Sequence, residues 1–286
     1  MLGDETSLYW MDGDSKVFRS PIASAQPVQV GTAPDGATLA RQTADTLFLG
    51  TPEGPVHAMP KVGGGMTTYN VLLNASHTFA IDETAIYYQE KQELGSSTFA
   101  LPLGGSPGWQ MPRNVDDPLE GFFVPISPPA LDGTYAYFGA IGFSGQTPGV
   151  YRKRKDGYGN VEFVLQSYDT RAHSLVMVGD TLVGATVIYG EPPAKVRVWS
   201  SSAPFETTTT LFTTTGGSSS ELLNVGDEYV YWFEVSGRTI WRTSAHDGQT
   251  LRMVTLDEPM SSLFSIAIAG PHLYYRNYGP IYRIAR

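Results

Sequence analysis

Four groups that could do chemistry, Arg41, His77, His173 and Glu221, lie far apart in this 286-residue chain. They can form a site only if the fold gathers them. The remaining histidines, His57, His246 and His272, add no pair at metal-ligand spacing. Asp12 and Asp14 in "MDGDSK" start like a calcium loop, but the later ligands of such a loop do not follow, which favours a hairpin turn. "VDDPLE" (Val115–Glu120) is a second acidic cluster without partners at fixed spacing. No Gly-x-Ser-x-Gly elbow is present, and the glycines of "KVGGGMT" read as a turn between strands rather than a phosphate loop. With no cysteine, thiolate catalysis and cysteine-held metals are excluded.

The elements that would have to position such groups are short. Segments such as "TAIYYQ", "VEFVLQ" and "EYVYWFEV" are rich in aromatic and β-branched residues, and 31 Gly with 20 Pro supply turns. No amphipathic helical stripe is found. The chain reads as all-β.

One unit, "VGDEYVYWFEVSGRTIWRTSAHDGQTLRMVTL" (Val225–Leu256), holds two marks: "VYW" after an acidic turn and, further on, "IWR". The first recurs in "DETSLYW", "ADTLFL", "DETAIYY", "DGTYAYF", a worn "GDTLVG" and "GPHLYY". The second follows each of them, as "VFR", "VHA", "TFA", "VYR", "VWS" and "IYR". Successive marks are about 39 residues apart at the closest (Arg19 to Ala58) and 52 at the widest (Ala100 to Arg152).

Each copy offers about four antiparallel strands, too few to cover its own faces. Packing copies side by side buries those faces and predicts a seven-bladed β-propeller, with six blades plus a degenerate unit as the alternative count. Period-2 alternation then turns the outer two residues of each triplet towards one neighbouring blade and the middle residue towards the other. A single domain over 1–286 is expected. The first copy has only "MLGDETS" before its aromatic strand, and the last stops after its third strand, so a strand is expected to be missing or very short at each chain end.

Tyr231, Trp232, Ile240, Arg242, Asp247 and Gly248, with Tyr9, Trp10, Val17 and Arg19, give the chain a resemblance to YWTD-type propellers of lipoprotein-receptor ectodomains and to secreted bacterial propeller repeats. The resemblance implies the fold and no particular ligand.

Function follows from what the scaffold presents. The longest irregular stretch, Gly104–Ala130, carries Trp109 and Arg113; long loops in adjacent copies carry Phe143 and Tyr189. Loops on a rigid scaffold are where ligand-binding residues collect. The sequence therefore predicts a non-catalytic binding module for a protein or carbohydrate ligand held by these four. The first alternative is a metal-dependent hydrolase or lyase at the mouth of the central channel. Arg41, His77, His173 and Glu221 would meet there, near the starts of the innermost strands. The second is a structural repeat domain of a larger secreted protein. No cofactor is predicted, and calcium at Asp12 and Asp14 is the one metal kept in view. A net charge of −9 argues against nucleic acid, and the cationic run "YRKRKDG" reads as a solvated strand end and turn. No apolar run is long enough for a transmembrane helix. Low lysine with abundant Ser, Thr, Gly and Tyr points to a secreted or periplasmic bacterial protein.

Overall fold

The structure, a computed structural model, describes residues 1–52, 54–71, 73, 79–92, 95–104, 109–110, 128–140, 149–157, 159, 161–166, 170–188, 195–214, 222–223, 227–234, 238–257, 265–277 and 279–286. It is an all-β, seven-bladed propeller fold. Blade 1 is β1 (Leu2–Gly3), β2 (Ser7–Met11), β3 (Lys16–Pro21) and β4 (Val28–Thr32). Blade 2 is β5 (Thr38–Gln42), β6 (Thr46–Gly50), β7 (Val56–Pro60) and β8 (Thr67–Tyr69). Blade 3 is β9 (Phe79–Ile81), β10 (Ala85–Gln92), β11 (Gly95–Pro102) and β12 (Trp109–Gln110). Blade 4 is β13 (Ala130–Leu131), β14 (Tyr135–Ala140), β15 (Gly149–Arg154) and β16 (Glu162–Gln166). Blade 5 is β17 (Thr170–Val178), β18 (Thr181–Ile188), β19 (Lys195–Ser202) and β20 (Thr209–Thr213). Blade 6 is β21 (Tyr229–Glu234), β22 (Thr239–Ser244) and β23 (Thr250–Thr255), with Leu223 bridged to Tyr231 on the inner side. Blade 7 is β24 (Ser265–Ala269), β25 (His272–Arg276) and β26 (Tyr282–Ala285). The sequence marks fall on the second and third strands of all seven blades, which settles the count at seven. Among the described residues, five sheets have four strands and two have three.

The chain divides into two compact units, residues 1–85 with 260–286, and residues 86–259. In the first unit Leu8 and Trp10 pack against Ala267, Ala269 and Tyr274 of blade 7, while Tyr9 between them packs with Leu47, Leu49 and Met59 of blade 2. In the second, Leu182 joins Tyr137 and Leu165 of blade 4, while Val183 and Ala185 join Val230 and Trp232 of blade 6. The alternation read from the triplets is thus how the blades bury one another's faces.

Three recurring devices explain why these segments become blades. The acidic turn is the first. Asp4 Oδ1 accepts from the Thr6 and Ser7 amides, Asp82 Oδ1 from Thr84 and Ala85, and Asp132 Oδ1 from Thr134 and Tyr135. The second oxygen accepts the hydroxyl of the triplet's middle tyrosine, in Asp4–Tyr9, Asp132–Tyr137 and Asp227–Tyr231 at 3.1, 2.6 and 3.1 Å. One carboxylate closes the turn and satisfies a buried phenol, so neither is left without a partner.

A cross-strand aromatic stack is the second device. It joins Trp10 to Phe18, Tyr88 to Phe99, Trp232 to Trp241 and Tyr275 to Tyr282, with centroids 5.2–5.9 Å apart and planes 17–19° from parallel. The third is a β-bulge, at one register position in four blades, between Val17 and Phe18, Val150 and Tyr151, Val198 and Trp199, and Ile240 and Trp241. It gives the outer strand one extra residue and aims the next side chain at the neighbouring blade.

The worn copy departs from this pattern for a visible reason. Gly184 takes the place of the second aromatic, and a Cβ there would overlap the ring of Trp199, its partner across the ladder. Only the third-strand aromatic of the pair is kept, and its ring fills the space that the second-strand aromatic occupies in the sibling blades. The cationic run also differs from expectation: Arg152 pairs with Glu162 and Arg154 with Asp156, but Lys153 is buried. It follows the strand's alternation, which turns one side chain in two inwards.

Candidate functional site

Most of the residues singled out from sequence lie outside the described ones: Arg113, Phe143, Tyr189, His77 and Glu221. Trp109 is not in a loop. It opens β12, paired with Ala100 as the outer strand of blade 3, because that blade needs a fourth strand and finds it there. The side chains of Trp109 and His173 are outside the description, and the backbone of His173 runs within β17. Arg41 is the fourth of five residues in β5, at the strand's end rather than near its start. Its guanidinium donates to the Ala40 carbonyl at 2.6 Å and lies 6.0 Å from the Phe79 ring centroid. Among the described residues no three His, Asp or Glu side chains converge as a metal site would require. Asp12 closes the β2–β3 hairpin, accepting from the Asp14 and Lys16 amides at 3.0 and 2.9 Å. His57 is buried with Nδ1 3.1 Å from the Thr68 hydroxyl, and burial holds its pKa below the usual histidine value.

The described surface offers a different site, inside the first unit. A cavity of about 410 Å³ opens beside blade 7, lined by Leu8, Trp10, Ile22, Tyr274, Ile281 and Arg283 among others. Each wall has a local cause. Leu8 and Trp10 are the blade-7-facing residues of β2. Tyr274 is the middle residue of the blade 7 triplet, so it faces blade 1. Ile281 and Arg283 belong to the "IYR" mark.

Equivalent positions elsewhere are covered. Val17, Val56, Val150, Val198 and Ile240, which correspond to Ile281, are each 0 % exposed. Ile281 is only half-buried, and Tyr282 after it is 48 % exposed, against 4 % for its counterpart Tyr151. In blades 1 to 6 the strand carrying the second mark has an outer neighbour; in blade 7, β26 is the edge of the described sheet. An outer strand also covers the next blade's aromatic stack. Phe212 of β20 sits 5.4 Å from both Trp232 and Trp241. Trp10 and Phe18 are the same pair in blade 1, and both are half-buried. The cavity therefore lies where an outer strand's side chains would pack. Sequence reasoning expected the last copy to lack a strand but did not place a recess between its third strand and the aromatic pair of blade 1.

No family model matches the chain, and no curated protein matches it. Solved structures do. The chain is similar to a chain of the nidogen/laminin complex (12 % identity, 98 % of this chain and 89 % of that one, TM-score 0.53). It is similar to an oligogalacturonate lyase in complex with manganese (11 %, 91 % and 78 %, 0.62) and to BamB from Moraxella catarrhalis (13 %, 96 % and 80 %, 0.53). At such identities the likeness is one of fold, and it bears out the resemblance to propeller-repeat proteins carried by the Tyr-Trp and Ile-x-Arg marks.

Proposed function

We propose that the chain is a non-catalytic, extracytoplasmic binding module whose ligand is a protein, held at the uncovered cavity beside blade 7. The observation that carries this reading is the contrast between Ile281 and its five fully buried counterparts. An open apolar recess suits the side chains of a polypeptide. The extracytoplasmic placement rests on composition. A glycan ligand, expected from the sequence at Trp109, Arg113, Phe143 and Tyr189, is the second reading.

The test is selection of a displayed random-peptide library and a glycan array against the purified chain, repeated with Trp10→Ala. Selected peptides that lose binding to Trp10→Ala support the proposal. Glycan binding alone, unaffected by Trp10→Ala, moves the function to the loops. Failure of both screens overturns the binding-module reading. Manganese-dependent cleavage of an acidic oligosaccharide would do the same in favour of a lyase.

A further inference from the structure

We infer that His57 makes the seam between blades 1 and 2 an acid-released joint, closed while the imidazole is neutral and loosened when it takes a proton. The inference concerns the first unit alone and does not depend on what the chain binds.

The sibling blades show what belongs at this position. The middle letter of the second mark is Phe18, Phe99, Tyr151, Trp199, Trp241 and Tyr282 in the other six copies, and blade 2 alone carries histidine there. The ladder is the same: Leu49 faces His57 as Trp10 faces Phe18 and Trp232 faces Trp241. Blade 2 therefore keeps a flat ring where its siblings keep one, but a ring that can be charged.

The surroundings make that charge costly. His57 is 8 % exposed, on the face of β7 that meets blade 1, across from Leu49 and two residues before Met59. Leu49 and Met59 pack with Tyr9 and Val17 of blade 1 and with Ala33 and Ala37 of the link between the blades. A Cβ on Gly31 of β4 would overlap the Met59 side chain, so the outer strand of blade 1 lies hard against this face. The ring meets the Thr68 hydroxyl, 3.1 Å from Nδ1, which supplies a hydrogen bond but no countercharge. The elements around it bring no charge to bear among the described residues. The strand β4 carries none, Lys16 pairs with Asp14, Arg19 donates to Ser7, and Lys61 pairs with Asp4. Asp12 closes its hairpin, Arg41 lies beside Phe79 of blade 3, and Asp35 and Asp45 are exposed. Burial is accordingly what holds the imidazole below its ordinary value of 6.5.

The direction of the response follows. A ring kept neutral by the fold contributes stability that is complete above 6.5 and is lost as pH falls below it, because the opened chain takes up the proton first. The tie between Lys61 and Asp4, whose pKa is about 2, stays made throughout that window. Mild acid thus acts on the seam and spares the tie.

The test is hydrogen exchange of the full chain between about pH 8 and about pH 5, each rate being divided by the chemical rate of that amide at the same pH. Protection of residues 46–60 is expected to fall on acidification in the parent, while residues 229–244 keep theirs. His57→Phe installs the residue that blades 1 and 3 carry, and should hold protection level across the range. Thr68→Asp sets a carboxylate within reach of Nδ1, at an exposed position, and should shrink or abolish the acid loss. A purely structural role for His57 would not produce that rescue. Level protection in the parent, an equal fall in His57→Phe, or an equal fall in Thr68→Asp overturns the inference. A fall shared by residues 229–244 does so too, since the response would then not belong to this seam. Should His57→Phe fail to fold, the parent and Thr68→Asp decide between them.

Discussion

Lys61 places its ammonium 2.8 Å from the carboxylate of Asp4, 57 positions earlier, and 5.3 Å from the ring centroid of Tyr9. The Tyr9 hydroxyl donates to the same carboxylate oxygen. The end of blade 2's third strand is thereby tied to the turn that starts blade 1's second. Burial alone would raise the pKa of Asp4. The hydrogen bonds from Lys61 and the Thr6 amide and the charge of Lys61 outweigh that and hold it at about 2.

The sign of the pH dependence follows. A carboxylate whose folded pKa is depressed contributes stability that is complete above its ordinary value of 3.8 and fades as pH falls towards 2. The contribution at neutral pH is roughly 2 kcal/mol. Asp4→Asn should therefore be less stable than the parent at pH 7 and nearly equal to it at pH 2, checked by urea unfolding across that range.

Lys61→Met should cost more than the double change Lys61→Met with Asp4→Asn, because the single change leaves a part-buried carboxylate without its cation. A double-mutant cycle by urea unfolding reads the difference. A double loss equal to the sum of the two single losses would mean that the pair is not coupled.

Asp132 and Tyr137 make a graded test of the turn device. Tyr137→Phe removes one hydrogen bond and should cost about 1 kcal/mol. Asp132→Ala also strips the acceptor from two backbone amides and should cost two to three times as much by the same measure. If Tyr137→Phe proves the more damaging, the carboxylate is not what holds the turn.

Trp10 and Trp232 occupy equivalent positions, yet Phe212 covers only the second. Replacing each in turn by Phe should separate them. Trp10→Phe should remove an acrylamide-quenchable part of the tryptophan emission, and Trp232→Phe should remove an unquenchable part.

What the sequence disclosed was the middle two strands of each blade. "LYW" and "IWR" are legible because buried strands must alternate apolar and aromatic residues, and because the acidic turn ahead of them has a mechanical task. Outer strands such as "VQVGT" in β4 and "TTLFT" in β20 show little pattern, since they lie at the rim with exposed or half-buried side chains. That is why Trp109 read as a loop residue and is a strand residue. The last copy's want of a strand was legible, but the cavity was not: it depends on how Leu8, Trp10 and Tyr274 pack beside Ile281, which among the described residues lacks the cover that Val150 and Val198 have. Arg41 shows the limit of register by eye, because a bulge between Leu39 and Arg41 shifts it along β5.

A Cβ at position 184 and the Trp199 ring cannot share their space, so Gly184→Ala should cost about 1–3 kcal/mol by overpacking. Trp199→Phe in the same chain should recover part of that loss.

Blade 6 carries the same two positions as Trp232 and Trp241, and there the rings lie face to face, with planes 19° from parallel. In blade 5 the ring of Trp199 occupies the volume that a side chain at 184 would need. One space between second and third strands is thus filled in two ways, by a pair of stacked rings in blade 6 and by a single ring laid over bare backbone in blade 5.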